Sequence, residues 1–591
     1  MKIKTIRHSL SHILASAIQE LYPKTKFGMG PAIENGFYYD FELPKPLTTE
    51  DLPLIEKKMR EMIKKKITFK KRLISKNEAK KIFKGQTYKL ELAKEAKEKN
   101  LTVYESQNFI DLCKGPHAKS TKEINPDSFK LTKVAGAYWK GSEKNPMLTR
   151  VYGVAFKNKK ELAEYLLKEA EAEKRDHRVL GKKLELFLID ENIGAGLPLW
   201  LPKGAIIRKI IENYLYQELS KEGYEWLYTP HIGSRKLWET SGHWDFYNES
   251  MYPPLEVSQS LEDVQKGRKP DFKEEYLLKP MNCPFHLTAY NSKIRSYREL
   301  PIKLAELGTV YRYERSGTLH GLTRARGFTQ DDAHLICTPQ QAEKEVEKLV
   351  KQAFHILNSF GFKEFNIYLS TKPEKYIGSL KNWKKATNTL KYALKKLNLK
   401  YQVDRGGGVF YGPKIDFKIK DSIGREWQCT TIQFDFNIPE KFNIFYINER
   451  GKKKEPFIIH RAILGSIERF IGVLTEHYAG AFPFWLSPEQ VWIIPIGSRH
   501  EKYGDFVNKK LKTLQAITGN LRVKLKNENE TVSKKIREGE MQKIPYLLVV
   551  GDKEMKSKSV RIRQRGRGDI GEMKLAKFLE NIKIEVDKKK Q

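Results

Sequence analysis

Apolar and polar positions recur with helical and strand-like periods in the first 157 residues. The opening segment MKIKTIRHSLSHILASAIQE has helical apolar spacing, which places His8 and His12 on one helical face. Glycine-punctuated strands are predicted around residues 28–30 and 36–40, and a second helix over residues 51–67. This order of elements predicts an α+β domain.

Three further parts follow, each with its own pattern. The segment KKELAEYLLKEAEAEKRDHRVLGKK, residues 159–183, has strong helix formers, charges paired at i,i+4 and no proline, which predicts one connecting helix. A long region of strand-like apolar runs, turns and aromatic residues comes next. After Pro488, strands and helices alternate, which predicts a small α/β domain with a mixed or parallel sheet. The predicted limits are 1–157 for the first domain, 158–185 for the linker, 186–487 for the large domain and 488–591 for the last.

Composition narrows the class of protein. The 591 residues exceed one domain of ~100–200 residues several times over. A charged fraction of 31% and a mean hydropathy of −0.59 exclude a membrane-embedded protein. The 109 basic and 73 acidic residues give a net charge of +36, which favours a polyanionic partner, nucleic acid before an anionic membrane. A lysine-rich composition without a dedicated partner is the alternative.

Cysteine usage indicates the compartment. The four cysteines are spread over the chain without a CxxC pair, which is typical of a reducing environment. The basic N-terminal segment is interrupted by Ser, His and Gln, unlike the apolar run of a signal peptide. We therefore expect a cytoplasmic protein.

The most informative stretch is TVYRYERSGTLHGLTRARGFTQDDAH, residues 309–334. A strand ending in Arg312 and Glu314, a glycine-containing loop and a returning strand would place alternate polar side chains on one face of a hairpin. Arginine suits bidentate phosphate contact, and a neighbouring Glu can accept from a base amine. A solvent-facing hairpin with cross-strand salt bridges is the alternative. The returning strand would carry Arg324, Arg326, Phe328, Gln330, Asp332 and His334.

Other segments occur with this stretch in a characteristic order. They are LKPMNCPFHLTAY (278–290), FYGPKIDF (410–417), WQCTTIQFDF (427–436) and IIHRAILGSIERFIGVLTEHY (458–478). Together they resemble the threonyl-tRNA synthetases, a family of class II aminoacyl-tRNA synthetases. RHSLSHILA, FIDLCKGPH and KVAGAYWKGSEKNPMLTRVYG resemble the family's editing domain, and residues 488 to about 580 its anticodon-binding domain. The resemblance covers essentially the whole chain.

The resemblance implies both fold and reaction. The fold is an α+β and α/β multidomain arrangement: an N-terminal α+β editing domain, a class II antiparallel sheet flanked by helices, and a C-terminal α/β anticodon-binding domain. The reaction is ATP-dependent activation of threonine to threonyl-adenylate, followed by transfer to tRNA(Thr). Fixed positive charge and Mg²⁺ would stabilise the phosphate oxygens.

ATP residues follow from the same resemblance. Arg312 would hold the α-phosphate, Glu314 the adenine amine and Arg469 the γ-phosphate. Arg324 and Gln428 match further ATP contacts. His243, in SGHWD, matches a position beside the terminal ribose of tRNA, where it would help move a proton during transfer.

The resemblance also implies one zinc ion per subunit, held by Cys283, His334 and His460. Three protein ligands with a vacant position suit a substrate-binding zinc, whereas a structural zinc site has four ligands. The distances between these residues along the sequence give no such indication. The zinc would bind the amine and hydroxyl of threonine. The same pocket would contain Asp332, opposite the ammonium group, with Gln330 and Tyr411.

Such a pocket discriminates poorly against serine. Valine lacks the hydroxyl and is rejected by roughly 10⁴–10⁵, whereas serine lacks one methyl group, which is worth only ~10–200-fold. A second, hydrolytic site for seryl-tRNA(Thr) is therefore expected. The residues that match the family's editing site are His8, His12, Lys89, Asp111, Cys113 and His117.

The editing residues have a second interpretation. His8 and His12 at i,i+4, together with Cys113 and His117, have the spacing of a zinc site. We expect no metal there, because the family uses these residues to bind the terminal adenosine and orient water, with Lys89 and His8 in proton movement. A structural zinc site is the alternative.

Two further partners are implied. Asn529, Glu554 and Arg563 match positions that read anticodon bases, where Glu can accept from a cytosine amine and Arg can donate to guanine. The family is a homodimer, and the interface helix would lie within residues 204–230.

Three features depart from the family pattern. The sequence begins almost at its first histidine motif, so we expect a form lacking the N-terminal ubiquitin-like domain of most bacterial relatives. Phe285 replaces the glycine of many relatives, and residues 253–275 form a longer, polar insertion. A non-catalytic RNA-binding relative is the competing hypothesis. Retention of the ATP and zinc residues favours the active enzyme.

Overall fold

A computed structural model describes residues 2–256, 260–268, 274–516 and 519–587. The chain forms two compact units, residues 1–171 and 172–591. Among the described residues, no helix combines the length and the apolar composition that a membrane crossing requires.

The first unit combines helices with two antiparallel sheets. Its four-stranded sheet has the order Lys26–Phe27, Gly36–Glu42, Met147–Ala155, Phe129–Tyr138. Its three-stranded sheet has the order Lys70–Ser75, Asn100–Ser106, Phe109–Leu112. The helices are Ile3–Leu21, Leu52–Lys64, Lys76–Ile82 and Thr87–Glu95. Apolar residues of the first two helices and of both sheets form one hydrophobic core. The predicted α+β class of this region is confirmed.

Two local predictions within residues 1–183 are corrected. Residues 28–30 lie outside the strand Lys26–Phe27, although Gly28 still donates to the Asp40 carbonyl at 2.8 Å. The predicted connecting helix is two helices, Lys159–Arg175 and His177–Lys183. Asp176 lies between them, and its side chain accepts from the Arg178 N–H at 2.8 Å. This N-cap bond starts a new helix where charge spacing predicted a continuous one.

The second unit is built on an eight-stranded sheet. The order is Glu225–Trp226, Ile302–Tyr311, Gly327–Cys337, Phe457–Ser466, Glu426–Asp435, Lys414–Lys420, Phe365–Ser370, Gln402–Asp404. The six central strands are antiparallel, and each edge strand pairs in parallel. Helices Pro202–Lys221, Ala342–Ser359, Leu380–Lys396 and Ile467–His477 share its main hydrophobic core. This is the predicted antiparallel sheet flanked by helices.

Shorter elements surround this sheet. The helices are Lys236–Ser241, His243–Tyr247, Leu261–Gln265, Cys283–Tyr290 and Ile438–Lys441. The strands are Phe187–Leu188, Leu199–Trp200, Ile232–Ser234, Leu255–Glu256, Glu275–Leu278, Arg295–Ser296, Tyr446–Ile447 and Lys453–Lys454. Of the predicted insertion 253–275, residues 257–259 and 269–273 lie outside the described residues.

The predicted hairpin over residues 309–334 exists, but its strands are shorter than expected. They end at Tyr311 and resume at Gly327, so that Arg312, Glu314 and Arg324 lie in the connecting loop. The ladder ends because backbone groups turn to other partners: the Tyr313 N–H donates to the Ser250 carbonyl at 2.8 Å.

The last part has the predicted mixed sheet. Its order is Val523–Leu525, Val491–Pro495, Tyr546–Val550, Ser559–Gln564, Gly568–Lys574; the first three strands are parallel and the last two antiparallel. Helices Glu501–Lys512, Val532–Met541, Asp552–Ser557 and Leu575–Asp587 accompany it. The strand Gly568–Lys574 was not predicted, and the final helix begins after it.

Candidate active site

Cys283, His334 and His460 meet at the large sheet. His334 and His460 are register partners on neighbouring strands, and their ring centroids are 4.6 Å apart. Cys283 is the first residue of a short helix. One ligand atom from each residue lies within 4.8 Å of the others, and all three are buried. Strand register therefore brings together residues that are far apart in the sequence.

Buried neighbours hold both imidazole rings. His460 Nε2 is 2.9 Å from Asp435 Oδ2, and His334 Nδ1 is 2.9 Å from His286 Nδ1. His286 Nε2 lies 3.2 Å from Glu306 Oε2. These contacts leave His460 Nδ1 and His334 Nε2 as the nitrogens able to bind a metal. Sequence reasoning did not identify these three supporting residues.

The donor set fits zinc. Burial lowers the pKa of His334, which favours the neutral, metal-binding imidazole. Burial raises the pKa of the Cys283 thiol, so a thiolate at this depth requires a neighbouring cation. One sulfur and two nitrogens with an open fourth position form a typical catalytic zinc site.

A cavity of about 370 Å³ adjoins these ligands. Asp332, Gln330 and Tyr411, which the resemblance assigns to the threonine pocket, line its wall. Asn282 donates to Asp332 Oδ2 at 3.0 Å, and the Tyr411 hydroxyl donates to Gln433. The cavity thus offers a carboxylate and several neutral polar groups beside the ligand set, which suits a small zwitterion.

His243 is buried in the same wall. Its Nδ1 is 2.7 Å from the Ser241 hydroxyl, and its Nε2 lies 3.9 Å from Cys283 Sγ. Burial lowers the pKa of His243 to about 3, so the ring is neutral near pH 7.

A second cavity of about 640 Å³ shares part of its wall with the first. The shared residues include Arg312, Glu314 and Gln330. Arg469, in the first turn of helix Ile467–His477, lines the second cavity, and its N–H donates to Ser466 Oγ at 3.0 Å. The five predicted ATP residues, Arg312, Glu314, Arg324, Gln428 and Arg469, all line this cavity.

Two of the predicted ATP residues pair with each other. Arg324 Nε lies 3.0 Å from Glu314 Oε2. Gln428 donates to Asp416 Oδ1 at 2.9 Å, and Lys414 Nζ lies 2.6 Å from Asp416 Oδ2. Lys414 lines the cavity and was not predicted as a site residue, although it lies inside the quoted motif FYGPKIDF.

Phe285 lies two residues after Cys283 in the chain and is not among the residues that line the cavity. Its ring contacts Trp238 edge-on, with centroids 5.8 Å apart. Gly233 supplies the space, since a Cβ at that position would lie 2.7 Å from the Phe285 ring. The departure at position 285 therefore changes packing beside the site rather than in the cavity wall.

The six predicted editing residues form a second cluster in the first unit. Ligand atoms of His8, His12, Cys113 and His117 lie within 4.8 Å of one another. Cys113 Sγ is 3.2 Å from His8 Nε2 and 3.3 Å from His117 Nε2. Burial raises the pKa of Cys113 to about 11 and lowers the pKa of His12. The cluster therefore holds a neutral thiol among neutral imidazoles.

Lys89 and Asp111 form a buried ion pair beside this cluster. His12 Nε2 lies 3.4 Å from Asp111 Oδ2, and the Tyr39 hydroxyl donates to the same oxygen at 2.6 Å. The structure thus places Lys89 beside the other predicted editing residues. Tyr39 was not predicted as a site residue, although it lies in the strand predicted around residues 36–40.

Three regions of the chain match families of known proteins. Residues 266–478 match the tRNA synthetase class II core domain (G, H, P, S and T), residues 490–585 the anticodon binding domain, and residues 101–152 the threonyl and alanyl tRNA synthetase second additional domain. The threonine–tRNA ligase of Sulfurihydrogenibium sp. (strain YO3AOP1) is 52% identical over 588 residues, covering 98% of this chain and 88% of that protein. This chain belongs to the threonyl-tRNA synthetase family.

Two further relatives agree with this family. The threonine–tRNA ligase of Aquifex aeolicus (strain VF5) is 50% identical over 593 residues, covering 99% of this chain and 90% of that protein. The crystal structure of the RNA binding domain of threonyl-tRNA synthetase from Cryptosporidium parvum Iowa II has a TM-score of 0.63 at 38% identity. It covers 69% of this chain and 97% of that chain. The predicted family, fold class and enzyme class are confirmed.

The predicted anticodon residues of this synthetase lie in three different environments. Asn529 is exposed. Arg563 Nη2 lies 3.1 Å from Glu540 Oε1. Glu554 is buried, and its Oε2 accepts from the Gly551 N–H at 2.9 Å. Glu554 therefore already has one hydrogen-bond partner within the protein.

Proposed function

We propose that this threonine–tRNA ligase activates threonine on a zinc-containing site formed by Cys283, His334 and His460, and that the larger cavity binds ATP. The observation that carries the proposal is the shared wall between the two cavities. A threonine carboxylate in one cavity and an α-phosphate in the other would meet at Arg312, as adenylate formation requires.

Each residue of the threonine cavity would have a distinct role. Zinc, when bound, supplies a Lewis-acid position for the amine and hydroxyl of threonine. Asp332 would balance the ammonium charge, and Gln330 and Tyr411 would limit the space around the methyl group. His286 and Asp435 would keep the ligand rings in place from outside.

The residues of the ATP cavity would supply electrostatic stabilisation. Arg312 would contact the α-phosphate, Arg469 the γ-phosphate and Glu314 the adenine amine, with Arg324 and Gln428 completing the cavity. Mg²⁺ is the usual partner of the leaving pyrophosphate. Glu314 would have to exchange its ion pair with Arg324 for the nucleotide. His243, buried in the adjacent wall, would help move a proton of the tRNA ribose during transfer.

Seryl-tRNA(Thr) would be hydrolysed in the first unit. Lys89, a buried cation paired with Asp111, would move protons together with His8. The six predicted residues together would bind the terminal adenosine and orient the hydrolytic water. We propose that this cluster works without metal, because the family uses these residues to bind the terminal adenosine and to orient the hydrolytic water. One zinc ion per chain is therefore expected.

The remaining assignments belong to the same proposal. Asn529, Glu554 and Arg563 would read the anticodon of tRNA(Thr). The protein would act as a cytoplasmic homodimer through helix Pro202–Lys221, near which Tyr216 and Tyr228 are 52% and 93% exposed. Residues 1–157 would form the editing domain, 158–185 the linker, 186–487 the catalytic domain and 488–591 the anticodon-binding domain.

Threonine-dependent ATP–pyrophosphate exchange tests the proposal. We expect exchange in the zinc-loaded protein and its loss with a zinc chelator or in Cys283→Ser, because the amine and hydroxyl of threonine then lose their common ligand. Zinc should restore the chelated protein but not the variant. Absence of exchange in the metal-loaded protein would favour the non-catalytic RNA-binding hypothesis.

A further inference from the structure

His177 is completely buried at the start of helix His177–Lys183. Its main-chain N–H and its ring Nδ1 lie 3.1 and 2.6 Å from Glu476 Oε1. Its Nε2 accepts a hydrogen bond from the main-chain N–H of Leu322 at 3.0 Å. Since Nδ1 faces a carboxylate and Nε2 faces an N–H, the ring carries its proton on Nδ1.

These bonds argue against a metal at this position. Asp176, His177 and Glu476 have ligand atoms within 4.8 Å of one another, as a cation site would. Both ring nitrogens of His177 are already bonded, however, and the second carboxylate oxygen of Glu476 contacts Arg425. The cluster is therefore complete without an ion.

The loop held by His177 lines the larger cavity. His320, Leu322, Thr323 and Arg324 all contribute to its wall. The fit against the imidazole is close: a Cβ at Gly321, where φ is +50°, would lie 2.3 Å from His177 Nε2. The ring thus packs directly against this segment.

Glu476 connects the loop to a second ATP element. It lies in the last turn of helix Ile467–His477, whose first turn carries Arg469. A continuous chain of hydrogen bonds therefore runs from this helix through His177 to the Leu322 amide. It fixes the loop that carries Arg324 relative to the helix that carries Arg469.

We propose that His177 is a positioning residue for ATP, which holds loop residues 320–324 in the nucleotide-binding conformation through the Leu322 amide. The inference rests on the proposed function, because that proposal assigns ATP to the larger cavity. His177 itself would not touch the nucleotide.

Two substitutions distinguish the hydrogen bond at His177 Nδ1 from the one at Nε2. The amide of His177→Asn reaches the position of Nδ1, so it can keep the Glu476 bond but leaves the Leu322 N–H without an acceptor. The amide of His177→Gln reaches the position of Nε2 and can still accept from Leu322. A buried N–H without a partner is costly, so we expect the KM for ATP in pyrophosphate exchange to rise about tenfold in His177→Asn. His177→Gln should stay close to the unsubstituted chain.

Independent readouts distinguish positioning from a general loss of structure. The KM for threonine and the zinc content should be unchanged in both variants. Hydrogen exchange of a peptide covering residues 316–326 should accelerate in His177→Asn and not in His177→Gln. The full chain, with ATP and Mg²⁺, is used throughout.

Two results would overturn the inference: an unchanged ATP KM with unchanged loop exchange in both variants, or a parallel rise of both KM values with loss of zinc. If the unsubstituted chain has no threonine-dependent exchange, the proposed function fails instead. The hydrogen-exchange comparison then still decides whether His177 holds the loop.

Discussion

Asp435 holds three groups with its two carboxylate oxygens. Oδ1 accepts from the N–H groups of Asn437 and Ile438 at 2.8 and 3.0 Å, and Oδ2 faces His460 Nε2. Since Oδ1 is fixed by two backbone donors, the carboxylate has one orientation. That orientation places the proton of His460 on Nε2 and leaves Nδ1 for zinc.

Asp435→Asn should reverse this tautomer. The amide oxygen must take the place of Oδ1 to accept from the two backbone N–H groups, so the amide nitrogen faces His460 Nε2. The ring proton then moves to Nδ1, and zinc affinity should fall about 10–100-fold. Competition with a chromophoric chelator measures this change, and an unchanged urea midpoint is the control. Unaltered affinity would contradict the assignment of Nδ1 as the ligand.

At the scale of elements, Asp331 joins two central strands. It lies at the irregularity between Gln330 and Asp332 and accepts from the N–H groups of Ile463, Leu464 and Gly465 at 2.8–3.0 Å. The buried Arg461 donates to its backbone carbonyl at 2.8 Å. This network fixes the register that places the two histidine ligands opposite each other.

Asp331→Asn should destabilise the large sheet. An amide group presents a donor to one of the backbone N–H groups and leaves the Arg461 charge without a counter-ion, so we expect a loss of about 3–5 kcal/mol in the free energy of unfolding. Urea denaturation followed by fluorescence measures it. Asp569→Asn, which removes an exposed ion pair with Arg561, is the matched control and should leave the midpoint unchanged. Equal midpoints in the two variants would contradict the role of Asp331.

The elements differ in how far the sequence predicts them. Helical spacing was enough to place His8 and His12 on one face, and strand and helix alternation was enough for the mixed C-terminal sheet. The hairpin limits were not predictable, because the ladder ends where distant backbone groups such as the Ser250 carbonyl accept its N–H donors. Local pattern contains no information about such partners.

The candidate sites show the same limit. The zinc ligands follow from family motifs, but their proximity follows from strand register, which the sequence does not specify. His286 and Glu306 act through a neighbour, so no spacing rule identifies them. Asp176 has the chemistry of an N-cap, yet the charge pattern around it predicted an uninterrupted helix.

At the scale of the whole molecule, each compact unit has its own hydrophobic core and its own site. Substitutions in one unit should therefore leave the chemistry of the other intact. His8→Gln should reduce hydrolysis of seryl-tRNA(Thr) at least ~100-fold, as expected for loss of a proton-transfer group, without changing pyrophosphate exchange. Cys283→Ser should abolish exchange and preserve hydrolysis. Joint loss of both activities in either variant would contradict this independence.

The contact between Phe285 and Gly233 has a consequence for how this chain can change. The two positions share one volume, and the aromatic ring already fills it. A methyl group added at 233 would lie 2.7 Å from the Phe285 ring and would have to displace it. A larger side chain at one position is therefore tolerated only with a smaller side chain at the other. Substitutions at the two positions should consequently occur together.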